Sequence, residues 1–521
     1  MISNKTVPDL AYYRARITGR KEAVVDYDSK RRYTYAQIEQ RASKLAAFLL
    51  EKLDLKKGDR VAFCSENSIA YIDTFFMSYK TGIIMTSYNY KMGKNEISVL
   101  LEQETPRVIF YSEKQKKLIE HFRQDGSNRE YICIIGEPDK RDKYSYEDIM
   151  AYEAKGTAVY EPPCFDDVNM LIHTGGTTGG PKAAMMSYWA IFFNAISQIL
   201  TASLNRQDCA NVLLPFFHTA GWNVLMLPVL IAGGSVILTA EFCPETVLQI
   251  IESERPTVCI GIEPMYKAIA RHPNFAKTDF SCYRWMLNGA APISRGTMEI
   301  YLSKGVRVVN AYGMTEAGPN NLCPGVNDMT TEEISSKWSS VGRPMFFNNI
   351  RLVNEDGVDV PDGENGELLF NGNLTFSGYW RDEEKTQSTV RDKWLYTGDI
   401  AYKDEDGYFF ICGRKKSMYV SGGENIYPIE IEHVLVGHPA VECACVFGVP
   451  DEKWGEVGKA LIVLKPGCSV TKEELQAYVG ENSASIKIPK YLGFLKELPR
   501  NPVGKVDIKA VVKMYGNCAD E

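Results

Sequence analysis

Residues 172–188 read IHTGGTTGGPKAAMMSY, with four glycines and three threonines ahead of Pro181-Lys182 and an apolar run. Glycine in ordered backbone carries an entropic cost, so this composition implies that something approaches the main chain closely. Backbone N–H groups, threonine hydroxyls and a lysine ammonium together make a cradle for phosphate. A Walker A loop needs GxxxxGK followed by Ser or Thr. Here Pro181 separates Gly180 from Lys182 and Ala183 follows, so the stretch is not a P-loop of that kind. Taken alone, it reads equally as a glycine-rich surface loop.

A second cluster gives the first one company. NAYGMTEAG, Asn310 to Gly318, places an aromatic ring, two glycines, a hydroxyl and a carboxylate in nine residues. Tyr312 could stack on a base, Thr315 could bond a phosphate, and Glu316 could hold a Mg²⁺ that screens it. In WLYTGDI, Asp399 follows a strand-like run, where a carboxylate can accept both hydroxyls of a ribose. Asp399 by itself is also an ordinary turn or cap residue, and Glu316 a solvated carboxylate at a helix start.

The elements that must position these groups follow from periodicity. YTYAQIEQRASKLAAFLLEKL has helical spacing and leads through Gly58-Asp59 to the strand-like RVAFCS; TVLQIIESERPTVCIGIEP repeats the arrangement, breaking near Pro256. Such alternation predicts layered α/β structure with largely parallel strands. After about Met345 the texture becomes β-rich, with Glu355-Asp356-Gly357 and Glu405-Asp406-Gly407 as hairpin signals. Beyond Gly413-Arg414-Lys415-Lys416 a helix near 428–436 and strands around ECACVFGVP and KALIVLK predict a separate small domain. The expected division is 1–415, including a β-rich subdomain at 345–415, and 416–521.

Composition limits the function classes. With 521 residues, 45% hydrophobic and 24% charged, the chain is a globular protein large enough for two or three domains. A net charge of −7 argues against a duplex nucleic-acid binder. The 13 cysteines form no CxxC pair, which points to free thiols in a reducing cytosol and, with the scattered histidines, away from metal ligation by sulfur. MISNKTVPDL lacks the apolar core of a signal peptide. Residues 211–240 carry no Asp, Glu, Lys or Arg, but Pro215, Pro228 and Gly233-Gly234 interrupt them. No helix of the ~20 residues needed to span a bilayer fits there, and the stretch reads as buried core. The expectation is a cytoplasmic protein.

The motifs TGGTTGGPKA, LPFFHTAGW, NGAAPIS, NAYGMTEAG, GELLFNGN, YTGD, GRKKSMYVSGGENIYPIEIE and LPRNPVGK occur in this order. In that order they resemble the adenylate-forming superfamily of acyl-CoA synthetases, peptide-synthetase adenylation domains and firefly luciferase, from about Tyr33 to Asp507. The resemblance implies a large α/β domain with a mobile α+β C-terminal domain, and an acyl-adenylate formed from a carboxylic acid and ATP before transfer to a thiol. It assigns the β- and γ-phosphates to Thr174, Gly175, Gly176, Thr177, Thr178, Gly179 and Lys182. Adenine falls to Gly289, Ala290, Ala291 and Asn310, with Ala311 and Gly313 alongside and Tyr312 stacking. Thr315 meets the α-phosphate, Glu316 the magnesium, and Asp399 and Arg414 the ribose. Lys505 resembles the mobile lysine bridging the carboxylate and α-phosphate, and Lys416 the hinge. Gly422, Gly423 and Glu424 would admit the pantetheine arm of CoA. Two departures are visible: Gly175 stands where the family commonly has serine, and Ala183 where it commonly has glycine.

His218 resembles the acyl-CoA synthetase residue beside the substrate carboxylate, where amino-acid-activating members usually carry Asp. Trp222, Met265, Met314, Ala317 and Gly318 are the expected acyl-pocket residues, implying a hydrophobic acid of medium length, branched or ring-bearing; a core-packing role fits the same residues. The implied cofactors are ATP, Mg²⁺ and CoA, and the implied partners are a small-molecule carboxylate and CoA, with a homodimer as an open option. Loading of a separate carrier protein and a non-catalytic nucleotide binder are the alternatives.

Overall fold

The computed structural model describes residues 6–124, 126–157, 160–174, 182–290, 293–327, 329–500 and 506–518. Of the residues assigned above, Gly175 to Gly179, Ala291 and Lys505 lie outside them.

Two parallel-rich sheets form the body of the large domain. In the first, strands Val308–Asn310, Trp285–Asn288, Val258–Gly261, Cys209–Val212, Ser235–Leu238 and Glu22–Asp26 run parallel, and Arg31–Thr34 closes the edge antiparallel. In the second, Glu130–Ile135, Val108–Ser112, Arg60–Cys64, Ile84–Ser87 and Val168–Thr174 are parallel, and Lys182–Ser187 folds back antiparallel on the last of them. The strands are short and apolar because both faces are covered, and one continuous core of buried residues joins the two sheets.

The connecting helices form where the sequence supplies caps and an apolar stripe. Thr34 and Gln37 make a reciprocal capping box at Tyr35–Ala47, which buries Ile38, Ala42 and Leu45. A single π-turn, Phe48–Lys52, then ends the run. The uncharged stretch 211–240 resolves into strand, turn, the helix Met226–Ala232 and strand. Among the described residues no helix is long and apolar enough to cross a membrane.

A third, antiparallel sheet carries Asn348–Val353, Gly366–Gly372, Trp394–Lys403, Val390–Arg391 and Phe409–Arg414. The Glu405-Asp406-Gly407 signal is the turn between two of its strands. The C-terminal small domain has its own sheet, in which Gly455–Leu464 pairs with Val441–Asp451, Tyr419–Ser421 and Tyr491–Phe494, and its own core. It meets the large domain through the Arg271–Glu442 ion pair at 2.8 Å and through His433, which lies edge-on to Trp338 with centroids 5.8 Å apart. All 13 cysteines are unpaired, and Cys243, Cys468 and Cys518 are exposed.

Candidate active site

The glycine-rich stretch joins two paired strands, with Thr174 opposite Lys182. The far edge of Lys182–Ser187 is occupied by the segment 377–380: Met185 N–H donates to Gly378 O at 2.9 Å and Trp380 N–H to Ala183 O at 2.8 Å. That pairing places the Tyr379 ring beside Lys182, whose Nζ lies 5.7 Å from the ring centroid. The Tyr379 hydroxyl donates to Glu316 Oε1 at 2.7 Å, and Glu316 is buried. Burial holds the Lys182 ammonium below its usual range, and the neighbouring Lys385 and Lys416 charges add to this against Asp382 and Glu316. Three lysines, Lys182, Lys385 and Lys416, gathered around the Asp382 and Glu316 carboxylates are suited to a polyanion. Burial first, and then the Glu316 charge, push the Tyr379 phenol up, so it remains a donor.

Glu316 is presented by a tight turn. A Cβ at Gly313 would lie 1.5 Å from the Pro319 carbonyl oxygen, so only glycine fits. The close approach lets Tyr312 N–H bond Leu322 O at 2.9 Å, and the single 3₁₀ turn Thr315–Ala317 follows, ended by Gly318 at φ +92°.

Asp399 and Arg414 face each other across a strand pair. Arg414 Nε donates to Asp399 Oδ1 at 2.7 Å, and the Tyr312 hydroxyl donates to Asp399 Oδ2. The carboxylate is 4% exposed, whereas the Arg414 side chain is 54% exposed. A half-open cation thus stands over a buried anion. Burial and then Asp399 raise the Tyr312 phenol well above its usual range. Residues 312–316 therefore link both clusters: one end touches the Asp399 clasp, the other carries Glu316.

Asn288 ends one parallel strand and Asn310 ends its neighbour. The Asn310 amide is engaged inside the protein: Oδ1 accepts from Asn288 Nδ2 and Ile293 N–H, each at 2.9 Å, and Nδ2 donates to Trp338 O at 2.8 Å. With a longer contact from Nδ2 to Ser340 O at 3.5 Å, it ties the ends of these two strands to the segment 338–340. Among the described residues beyond its chain neighbours, none comes within 4 Å of where a Gly289 Cβ would be, and Ala290 takes a left-handed φ of +68°.

His218 is partly buried, its ring 4.6 Å from that of Phe217. Trp222, expected in the acyl pocket, is instead a core residue: it is 1% exposed, stacks on Phe216 at 4.6 Å, and donates from Nε1 to Phe216 O at 2.6 Å. Tyr71 and Phe75 complete that aromatic cluster. Met265 and Met314 are partly buried and Ala317 is buried. Lys416 lies in the one-turn helix Lys415–Ser417, directly after the strand that bears Arg414. Gly422 and Gly423, at φ +59° and +89°, form the two-residue turn between Tyr419–Ser421 and Glu424–Ile426, the conformation of a type I′ hairpin.

Sequence reasoning missed Tyr379 and the Lys385–Asp382 neighbourhood, because nothing in FSGYW marks a residue that packs against a segment 63 positions earlier.

The AMP-binding enzyme family matches residues 12–380, and the AMP-binding enzyme C-terminal domain matches residues 430–505. The chain belongs to the AMP-binding enzyme family. Within it, the chain is 36% identical over 487 residues to a feruloyl-CoA synthase from Amycolatopsis sp, covering 93% of this chain and 94% of that one. It is 31% identical to the long-chain-fatty-acid–CoA ligase FadD13 of Mycobacterium tuberculosis, with 96% of each chain covered. ATP-bound MatB from Rhodopseudomonas palustris superposes with a TM-score of 0.86 at 27% identity, covering 97% of this chain and 99% of that one. This member of the family is an AMP-forming acyl-CoA synthetase.

Proposed function

We propose that the enzyme activates a hydrophobic carboxylic acid, of medium length, branched or ring-bearing, in two steps. In the first, a carboxylate oxygen attacks the α-phosphorus of ATP, the bond to the β-phosphate breaks, and pyrophosphate leaves. In the second, the sulfur of CoA attacks the acyl carbonyl carbon, the C–O bond to AMP breaks, and the thiol proton passes to solvent. The observation carrying this reading is the 312–316 segment, which joins a ribose clasp to a cation-rich carboxylate site. Both steps build negative charge on phosphate oxygens, so positioning and fixed positive charge are the main catalytic resources.

Lys182 and the threonines of 174–178 take the β- and γ-phosphates, and Thr315 the α-phosphate. Asp399 accepts from the ribose hydroxyls with Arg414 beside it, and the Tyr312 ring and the Gly289 strand end receive adenine. The residues present fit a magnesium ion: Glu316 is a buried carboxylate beside the proposed phosphates, and Mg²⁺ is held by one or two carboxylates plus substrate phosphates. Glu316 would hold the ion, which when bound neutralises charge on the departing pyrophosphate. His218 lies beside the substrate carboxylate. Lys505 bridges that carboxylate and the α-phosphate in the first step, and a turn at Lys416, at the proposed 415/416 domain boundary, brings Gly422-Gly423 to the site for the second. The naming of relatives for feruloyl, 2-succinylbenzoate and indoleacetate substrates supports a ring-bearing acid.

The test is Lys505→Ala with ATP, Mg²⁺, CoA and a panel of aryl, branched and medium-chain acids. Acid-dependent adenylate formation is expected to collapse, while ATP binding and transfer from preformed acyl-adenylate to CoA persist. Equal loss of all three would overturn the assignment of Lys505. Adenylate formation without acyl-CoA in the wild type would overturn CoA as acceptor.

A further inference from the structure

A buried ion pair lies beneath the strand pair that carries the glycine-rich stretch, and none of the roles above uses it. His173 immediately precedes Thr174; its side chain is 6% exposed and that of Glu104 is 0% exposed. The ring's Nε2 lies 2.6 Å from Glu104 Oε1 and its Nδ1 lies 3.0 Å from the Ser87 carbonyl oxygen. The other carboxylate oxygen, Oε2, accepts from the Thr86 hydroxyl at 2.8 Å and the Tyr88 hydroxyl at 2.9 Å.

These partners fix the protons. A carbonyl oxygen only accepts, so Nδ1 carries hydrogen. Oε2 accepts both hydroxyls, so one proton, shared between Oε1 and Nε2, decides whether the pair is charged, and the Glu104 and Ser87 oxygens together hold it on the ring. The ring is an imidazolium with both N–H groups engaged, one of them in a charge-assisted bond. Three elements meet on it: Glu104 ends the helix Lys94–Glu104, Ser87 ends the strand Ile84–Ser87, and His173 sits one residue from the end of Val168–Thr174. Its neighbour across the strand pair is the uncharged Ala183.

We propose that the His173–Glu104 pair is a positioning device for the nucleotide's β- and γ-phosphates, a buried cation that fixes the strand end at Thr174 from which the glycine-rich stretch departs. The proposal rests on the reading of that stretch as the phosphate cradle. Burial works against the charged ring, but the Glu104 carboxylate and the Ser87 carbonyl outweigh it, so His173 stays protonated above the usual histidine range. Tyr88, whose ring centroid is 5.2 Å from that of His173, is kept a neutral donor by burial and by Glu104.

The experiment titrates the full-length enzyme with MgATP and, separately, with AMP by calorimetry between pH 6 and 9, alongside thermal midpoints. AMP lacks the phosphates in question and serves as the internal control. In the wild type, ATP affinity should fall along an alkaline limb while AMP affinity does not. Glu104→Gln keeps the side-chain shape and removes the counter-charge. It should move that limb to lower pH and weaken ATP about tenfold at pH 8, with AMP unchanged. His173→Gln should weaken ATP at every pH and erase the limb. A merely structural pair would lower the thermal midpoint and leave the ATP-to-AMP preference and the limb where they are; that result overturns the proposal. Lys182→Met separates the two readings. If it lowers the ATP-to-AMP preference and the His173 and Glu104 variants do not, the positioning role alone fails. If Lys182→Met has no effect on that preference, the phosphate cradle fails and the proposal with it.

Discussion

Asp399 serves Arg414 on one oxygen and Tyr312 on the other, so its charge holds both side chains in place at the point where we propose the ribose binds. Asp399→Asn keeps the size and loses the charge. Hydrogen bonds to charged groups are worth about 1.5–3 kcal/mol, so AMP and ATP affinity should both fall, roughly ten- to a hundredfold. Calorimetric titration with each nucleotide checks this, and the ATP-to-AMP preference should stay constant because the clasp lies away from the outer phosphates. The sequence singled out both Asp399 and Arg414, and the fold pairs them across neighbouring strands. The Tyr312–Asp399 bond was not, because the two are 87 positions apart and only the fold brings them together. Trp222 went astray for a related reason. An aromatic run after His218 has the same composition whether it walls a cavity or fills a core, and only stacking on Phe216, Tyr71 and Phe75 decides.

Elements were legible where period and turn chemistry agree. The helix at 35–47 carries its capping box in the letters Thr34 and Gln37, and the strand pair around Glu405-Asp406-Gly407 carries its turn. The segment 377–380 carries no such mark: its edge pairing with Lys182–Ser187 is a tertiary event without a local period. The turn after Val308–Asn310 lies between these cases. Its glycine is visible in sequence, but the Pro319 carbonyl that demands it is not. Gly313→Ala must push that carbonyl away, at a cost of about 3 kcal/mol or more. The thermal midpoint should drop by several degrees, and AMP affinity should fall with it, because Tyr312 and Glu316 both hang from this turn. An unchanged midpoint in differential scanning calorimetry would contradict the tight packing described.

Across the whole molecule, docking of the small domain has an ionisable group at its seam. Burial against the large domain pushes the His433 imidazole down to about 4, against a smaller upward pull from the Glu263 carboxylate on Glu263–Ala270. An undocked His433 would titrate near its usual ~6.5. Between these values the undocked state binds more protons, so docking is at full strength above about pH 6.5 and weakens as pH falls toward 4. Small-angle scattering across pH 4.5–7.5 should show an acid-side expansion that His433→Phe abolishes. The presence of a small C-terminal domain was legible in the change of texture along the chain, whereas this seam was not: His433, Trp338 and Glu263 share no motif.

The unpaired cysteines give the enzyme an internal ruler. Cys243 is exposed on the large domain, and Cys468 and Cys518 are exposed on the small one. With Cys518→Ser in place, maleimide dyes would report the span between the two remaining exposed thiols, one on either side of Lys416. Energy transfer between them through a single turnover would change if the small domain turns about Lys416 as proposed, and stay constant if it does not, using thiols the chain already carries.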